Sequence, residues 1–147
     1  MKILKYAFLL TIALAYIGCD DAGGEDDTMN TAPEYSVSIM SPSTDDKNLN
    51  DAIHIHVNFD EANATTVHHT NVQIVQKGNE DLVIFDGPSE AHVHEESGHY
   101  ELHADVVLDG TTGVQEHTDW ILRAKVWGHE DGLSEVIEEI EFHVHPE

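Results

Sequence analysis

Apolar and polar residues alternate along most of this chain, and no long stretch carries the period of a helix. Alternation of period two marks a β-strand with one face buried. The cleanest case is Ala52 to Phe59, where Ile53, Ile55, Val57 and Phe59 form one face and His54, His56 and Asn58 the other. Tyr35 to Met40 precedes it and ends at Ser41-Pro42-Ser43. Val67 to Gln76 follows, then Leu82 to Phe85 before Asp86-Gly87-Pro88. Ala91 to His94 and His99 to Leu108 flank Glu95-Glu96-Ser97-Gly98, and Asp119 to Trp127 and Glu135 to His145 flank Gly128 to Gly132. Turn-forming residues separate these segments, as strand connections require. In the last segment the alternation slips near Ile137 to Glu139, which predicts a bulge there. About seven short strands fit an all-β, antiparallel immunoglobulin-like or fibronectin-like β-sandwich over residues 34–147. Trp120 is expected in its core. Trp127, an odd number of positions further on, falls on the opposite face, as an exposed contact or packed at a sheet edge.

The polar positions of these strands are unusual, because twelve of the 147 residues are histidine and six of those form His-x-His pairs. The pairs are His54/His56, His92/His94 and His143/His145. Residues i and i+2 of a strand share a face, about 6.6–6.8 Å apart at Cα, so each pair presents two imidazoles side by side. In His99 to Leu108, residues Tyr100, Leu102, Ala104, Val106 and Leu108 form the inward set and leave His99, Glu101, His103 and Asp105 outward. A hairpin across Glu95–Gly98 then puts His92 and His94 on the face of His99, Glu101 and His103. Opposed Cβ atoms there stand about 4.5–5.5 Å apart. The immunoglobulin-like strand order adds His54 and His56 to that face. The expected metal-ligand pool is therefore His54, His56, His92, His94, His99, His103 and Glu101. His143 and His145 belong with Glu139 and Glu141 on the other sheet as a secondary metal site, with His129 in reach. His68 and His69, being adjacent, are expected on opposite faces, and His117 in a solvated loop. Nitrogen and carboxylate donors without thiolates suit Zn²⁺ first, then Cu²⁺ or Ni²⁺.

Charge agrees with a cation-binding role. The chain carries 29 acidic and six basic residues, a formal net charge of −23. Beyond residue 18 the only basic residues are Lys47, Lys77, Arg123 and Lys125. Such a surface repels nucleic acid and anionic membranes and attracts cations. Cys19 is the only cysteine, so no intrachain disulfide can form and no cysteine-based metal or nucleophile site exists in the folded part.

The N-terminus reads as a processing signal. Lys2 and Lys5 precede an apolar run from Tyr6 to Ile17, followed by Gly18-Cys19 and then Asp20-Asp21. Tyr16-Ile17-Gly18-Cys19 resembles a bacterial lipobox, with Tyr16 where Leu is usual. The resemblance implies a lipoprotein signal peptide over residues 1–18, cleavage before Cys19, and the diacylglycerol and palmitate of a bacterial lipoprotein on Cys19. Residues 19–33 read as a lipidated, disordered acidic tether. Its acidic start is similar to signals that send lipoproteins to the cell surface in Bacteroidota. Asp27-Thr28-Met29 fits the short O-glycosylation pattern of that phylum.

Several segments in order extend the likeness: Ile53-His54-Ile55-His56, Val67-His68-His69, Ala91-His92-Val93-His94 and Gly98-His99-Tyr100-Glu101-Leu102-His103. Together they resemble small Bacteroidota envelope lipoproteins with a single His-rich immunoglobulin-like domain, a family of unknown function. The resemblance covers residues 35–145 and implies an outer-membrane lipoprotein facing the periplasm or the outside. The expected partners are the outer membrane, through the lipid anchor, and an envelope protein or transporter that receives metal. No enzyme is expected. The chain has no His-Glu-x-x-His, Gly-x-Ser-x-Gly, phosphate loop or dinucleotide fingerprint. The alternative is a metal-free surface module that binds a protein or glycan partner.

Overall fold

The computed structural model describes residues 32–63, 65–129 and 135–147, which belong to one compact unit. The expected signal peptide, the lipidated Cys19 and nearly all of the tether lie outside the described residues. In chain order the strands are β1 (Tyr35–Ser41), β2 (Lys47–Asn48), β3 (Ala52–Glu61), β4 (Val67–Gln76), β5 (Asn79–Gly87), β6 (His92–Glu95), β7 (His99–Val107), β8 (Thr118–Trp127) and β9 (Val136–His145). One sheet has the order β1-β3-β7. The other runs β2-β9-β8-β4-β5, with β6 also on β4. All pairings are antiparallel except the short parallel contact of β2 with β9.

The alternation read from the sequence builds the core. Ile53, Ile55, Val57 and Phe59 of β3 are buried. They share the core with Val72 and Ile74 of β4, Trp120, Leu122, Ala124 and Val126 of β8, and Phe142 and Val144 of β9. Burying one such side chain is worth about 1.5–3 kcal/mol, so these alternating positions dominate the stability of the sandwich. Trp120, the largest fully buried residue, satisfies its indole by donating from Nε1 to Thr118 Oγ1 at 2.9 Å.

Two expectations about individual strands fail. β9 keeps an unbroken register against β8 from Val144 opposite Thr118 to Val136 opposite Val126, with no bulge at Ile137–Glu139. The strand stays in phase by leaving Ile137 exposed and half-burying Glu138. Nor do β6 and β7 form a hairpin. β6 continues the edge begun by β5: Gly87 pairs Val72, and after a detour His92 pairs His69 and Glu95 pairs Val67. The chain then crosses to the other sheet through Ser97 and Gly98. Gly98 takes φ 75° there and its carbonyl accepts from the Glu61 amide at 2.8 Å. The crossing separates His92 and His94 from β7.

Candidate metal centres

Every histidine of the chain falls in one of three clusters, four, five and three strong. The four-membered cluster lies on the outer face of the β1-β3-β7 sheet. The β3–β7 register sets His56 opposite His103, His54 opposite Asp105, Asn58 opposite Glu101 and Asp60 opposite His99. His56 and His103 stack with centroids 4.2 Å apart, and His54 Nε2 stands 3.3 Å from His103 Nδ1. Ligand atoms of His56, Glu101 and His103 all come within 4.8 Å of one another. His56 Nε2 is buried and has no hydrogen-bond partner among the described residues. His99 behaves differently: Nδ1 is 2.6 Å from Asp60 Oδ1 and Nε2 is 3.1 Å from Glu101 Oε1. The hydrogen bond with Asp60, then that with Glu101, raises its pKa, so His99 tends to the imidazolium and orients the carboxylate instead of offering a lone pair. Its bonds, with those from His103, hold Glu101 below the ordinary carboxylate range.

The five-membered cluster sits where the start of β4, the end of β8 and β6 meet. It gathers His68, His69, His92, His94 and His129. His129 Nε2 is 3.2 Å from His92 Nε2, and His129 Nδ1 is 3.2 Å from His69 Nε2. Two nitrogens on one tetrahedral zinc stand about 3.3–3.4 Å apart, given Zn–N of about 2.0–2.1 Å. Two triads have their ligand atoms within 4.8 Å: His68/His92/His94 and His69/His92/His129. Burial, then the imidazoles of His129, His94 and His92, lowers the pKa of His68. Burial, then His129, His92 and His68, does the same to His69. Both are thus neutral at physiological pH, the form that ligates metal. His68 Nδ1 is buried without a hydrogen-bond partner among the described residues. His69 stacks on Trp127, rings 5.2 Å apart and 10° from parallel, which fixes that imidazole and accounts for the half-buried Trp127.

The third cluster lies at the opposite end of β8 and holds His117, His143 and His145, whose ligand atoms also lie within 4.8 Å. His143 Nδ1 is 2.7 Å from Asp119 Oδ1 and His145 Nε2 is 3.0 Å from Asp46 Oδ2. Carboxylates in these positions fix the orientation and tautomer of the ring, leaving its other nitrogen for a ligand.

The expected seven-residue pool is therefore split. His54, His56, His99, His103 and Glu101 come together as expected, while His92 and His94 join His68, His69 and His129. His143 and His145 do form a separate group, with His117 in place of His129. His68 and His69 enter one cluster together because the β4–β6 register shifts between Val67 and His69, breaking the alternation that would have opposed them. His94 and His117 take φ 50° and 59°, the left-handed region, and only Asn50 joins them among described non-glycine residues. Such backbone costs about 1–2 kcal/mol for an ordinary side chain, and strain of this kind gathers at functional sites.

No protein-family model and no curated protein matches the chain. Solved structures do. The solution structure of the CARDB domain of a Pyrococcus furiosus protein superposes with a TM-score of 0.50 at 14% identity, over 77% of this chain and 95% of that one. The fold is immunoglobulin-like. The crystal structure of the same CARDB domain, in complex with di-metal ions, gives a TM-score of 0.48 at 15% identity over 78% and 96%. A β-glucosidase from Listeria innocua gives 0.42 at 13% identity, over 78% of this chain and only 17% of the enzyme. At these identities the likeness speaks for the fold alone.

Proposed function

We propose that this is a lipid-anchored protein of the cell envelope that binds divalent transition metal on its histidine clusters, zinc before Cu²⁺ or Ni²⁺, for capture, buffering or delivery. The reading rests on two buried ring nitrogens, His68 Nδ1 and His56 Nε2, each without a hydrogen-bond partner among the described residues and each in a residue of a three-ligand group. Leaving a buried polar group unpaired costs about 1–3 kcal/mol, and a metal ion removes that cost. The net charge of −23 draws cations to the surface, and the absence of thiolates selects borderline metals over Cu(I). Each group lies on a sheet face or at a sheet end open to water, which suits exchange of metal with a partner better than chemistry on a sequestered substrate.

Isothermal titration of Zn²⁺, Cu²⁺ and Ni²⁺ into metal-free protein tests the reading. Submicromolar zinc binding is expected, together with about 2.7 kcal/mol of added stability at a free metal concentration one hundred times Kd. Replacing His68 and His69 by alanine should abolish part of the binding and leave the rest at full affinity. Weak binding that declines evenly with the number of histidines removed would make them a solvated surface and overturn the proposal.

A further inference from the structure

Five imidazoles are more than one tetrahedral ion takes. The two triads of the five-histidine cluster are each complete only with His92, and they divide the other four rings between them without overlap. All four other rings lie within 6.0 Å of His92: its centroid is 4.8 Å from that of His69, 5.0 Å from His129, 5.5 Å from His94 and 6.0 Å from His68. Its Nε2 faces His129. From this geometry we infer that the cluster is a dinuclear centre holding two divalent cations, with His92 as a bridging imidazolate that ligates one metal through each ring nitrogen. The inference rests on the metal-binding reading and deepens it.

Two further observations favour a pair of ions. The His68 side has its own buried nitrogen without a hydrogen-bond partner among the described residues, so it is not simply a wall for the His69/His129 side. It also has a carboxylate at hand, because Glu96 Oε1 lies 3.7 Å from His94 Nε2, while His94 holds its place through a left-handed backbone. That triad can therefore complete a His₃-carboxylate sphere, and the His69/His129 triad keeps an open fourth position for water or an incoming ligand. The chemistry balances simply. As the second metal binds, the remaining N–H bond of the neutral His92 ring breaks, its electron pair becomes the new metal–nitrogen bond, and the proton leaves to solvent. The resulting anion between two dications reduces their mutual repulsion.

The test isolates the cluster in a background carrying His56→Ala, His103→Ala, His143→Ala and His145→Ala, none of them in the hydrophobic core, with folding checked by near-UV circular dichroism. Zinc titration of that protein is expected to give two ions per chain. H94A and H129A should each leave one, and H92A should weaken both by at least tenfold. Cu²⁺ loading of the same background, which leaves His92 intact, is expected to give an exchange-coupled pair by electron paramagnetic resonance. One zinc per chain, or two magnetically isolated coppers, would overturn the dinuclear inference and leave the metal-binding reading standing. No tight binding in the background, with full binding in the parent chain, would move the function to the other clusters and overturn the inference. No tight binding in either protein would overturn both.

Discussion

At the scale of the residue, the most constrained ionisable group is not a histidine. Glu61, 3% exposed at the end of β3, accepts from the Thr65 amide at 2.8 Å, the Thr65 hydroxyl at 2.7 Å, the Glu34 amide at 3.0 Å and the Asn63 side chain at 3.2 Å. Burial alone would raise its pKa, and the hydrogen bonds from Thr65, Glu34 and Asn63 together outweigh burial and bring it from 4.5 to about 2. A depressed folded pKa stabilises the fold fully above the unfolded value, and that contribution is lost as pH falls through the folded one. The interval from 4.5 to about 2 corresponds to about 3 kcal/mol. E61Q is expected to lose about 1–3 kcal/mol at pH 7 and to show a flatter decline between pH 4.5 and 2 than the parent, by urea denaturation across that range. A parallel decline in both proteins would place the acid sensitivity elsewhere.

At the scale of the element, regular strands were legible in the sequence and departures from regularity were not. The faces of β3 and β7 follow directly from alternation, so His54, His56, Glu101 and His103 could be brought together by counting. The five-histidine cluster escaped because it depends on two irregularities: the register shift in β4 after Val67, and the transfer of β6 to β4 in place of a hairpin with β7. Both are decided by tertiary pairing, and the sequence offered only the Pro88–Ala91 detour and Gly98 as signals. Gly98 makes the transfer feasible, since its φ of 75° is unfavourable for residues with a Cβ. Gly98→Ala is expected to cost about 1–2 kcal/mol in denaturant unfolding. It should also weaken zinc binding at the five-histidine cluster more than at His117/His143/His145, which lies at the far end of β8. Equal weakening at both would mean that the crossover does not set the position of β6.

At the scale of the whole molecule, the fold class and the importance of histidine could be read from pattern and composition, whereas the grouping of twelve imidazoles into three sets required the sandwich. What composition adds is a field. A net charge of −23, with few cations to offset it, makes the metal-free protein repel itself and makes its surface attract divalent ions. Salt weakens both effects, with opposite consequences for the protein. Screening shortens from about 30 Å at 0.01 M to about 3 Å at 1 M ionic strength, which relieves repulsion among carboxylates and also removes long-range steering of the cation. Raising sodium nitrate over that range is therefore expected to increase the melting temperature of the metal-free protein by several degrees. Over the same range the zinc association rate, followed by stopped flow, should fall by about tenfold or more. The dissociation rate should change far less, because it is set by imidazole–metal bonds at contact distance. A melting temperature indifferent to salt would mean that the carboxylates are spaced widely enough not to oppose folding. A salt-insensitive association rate would mean that the clusters recruit metal without help from the surrounding charge.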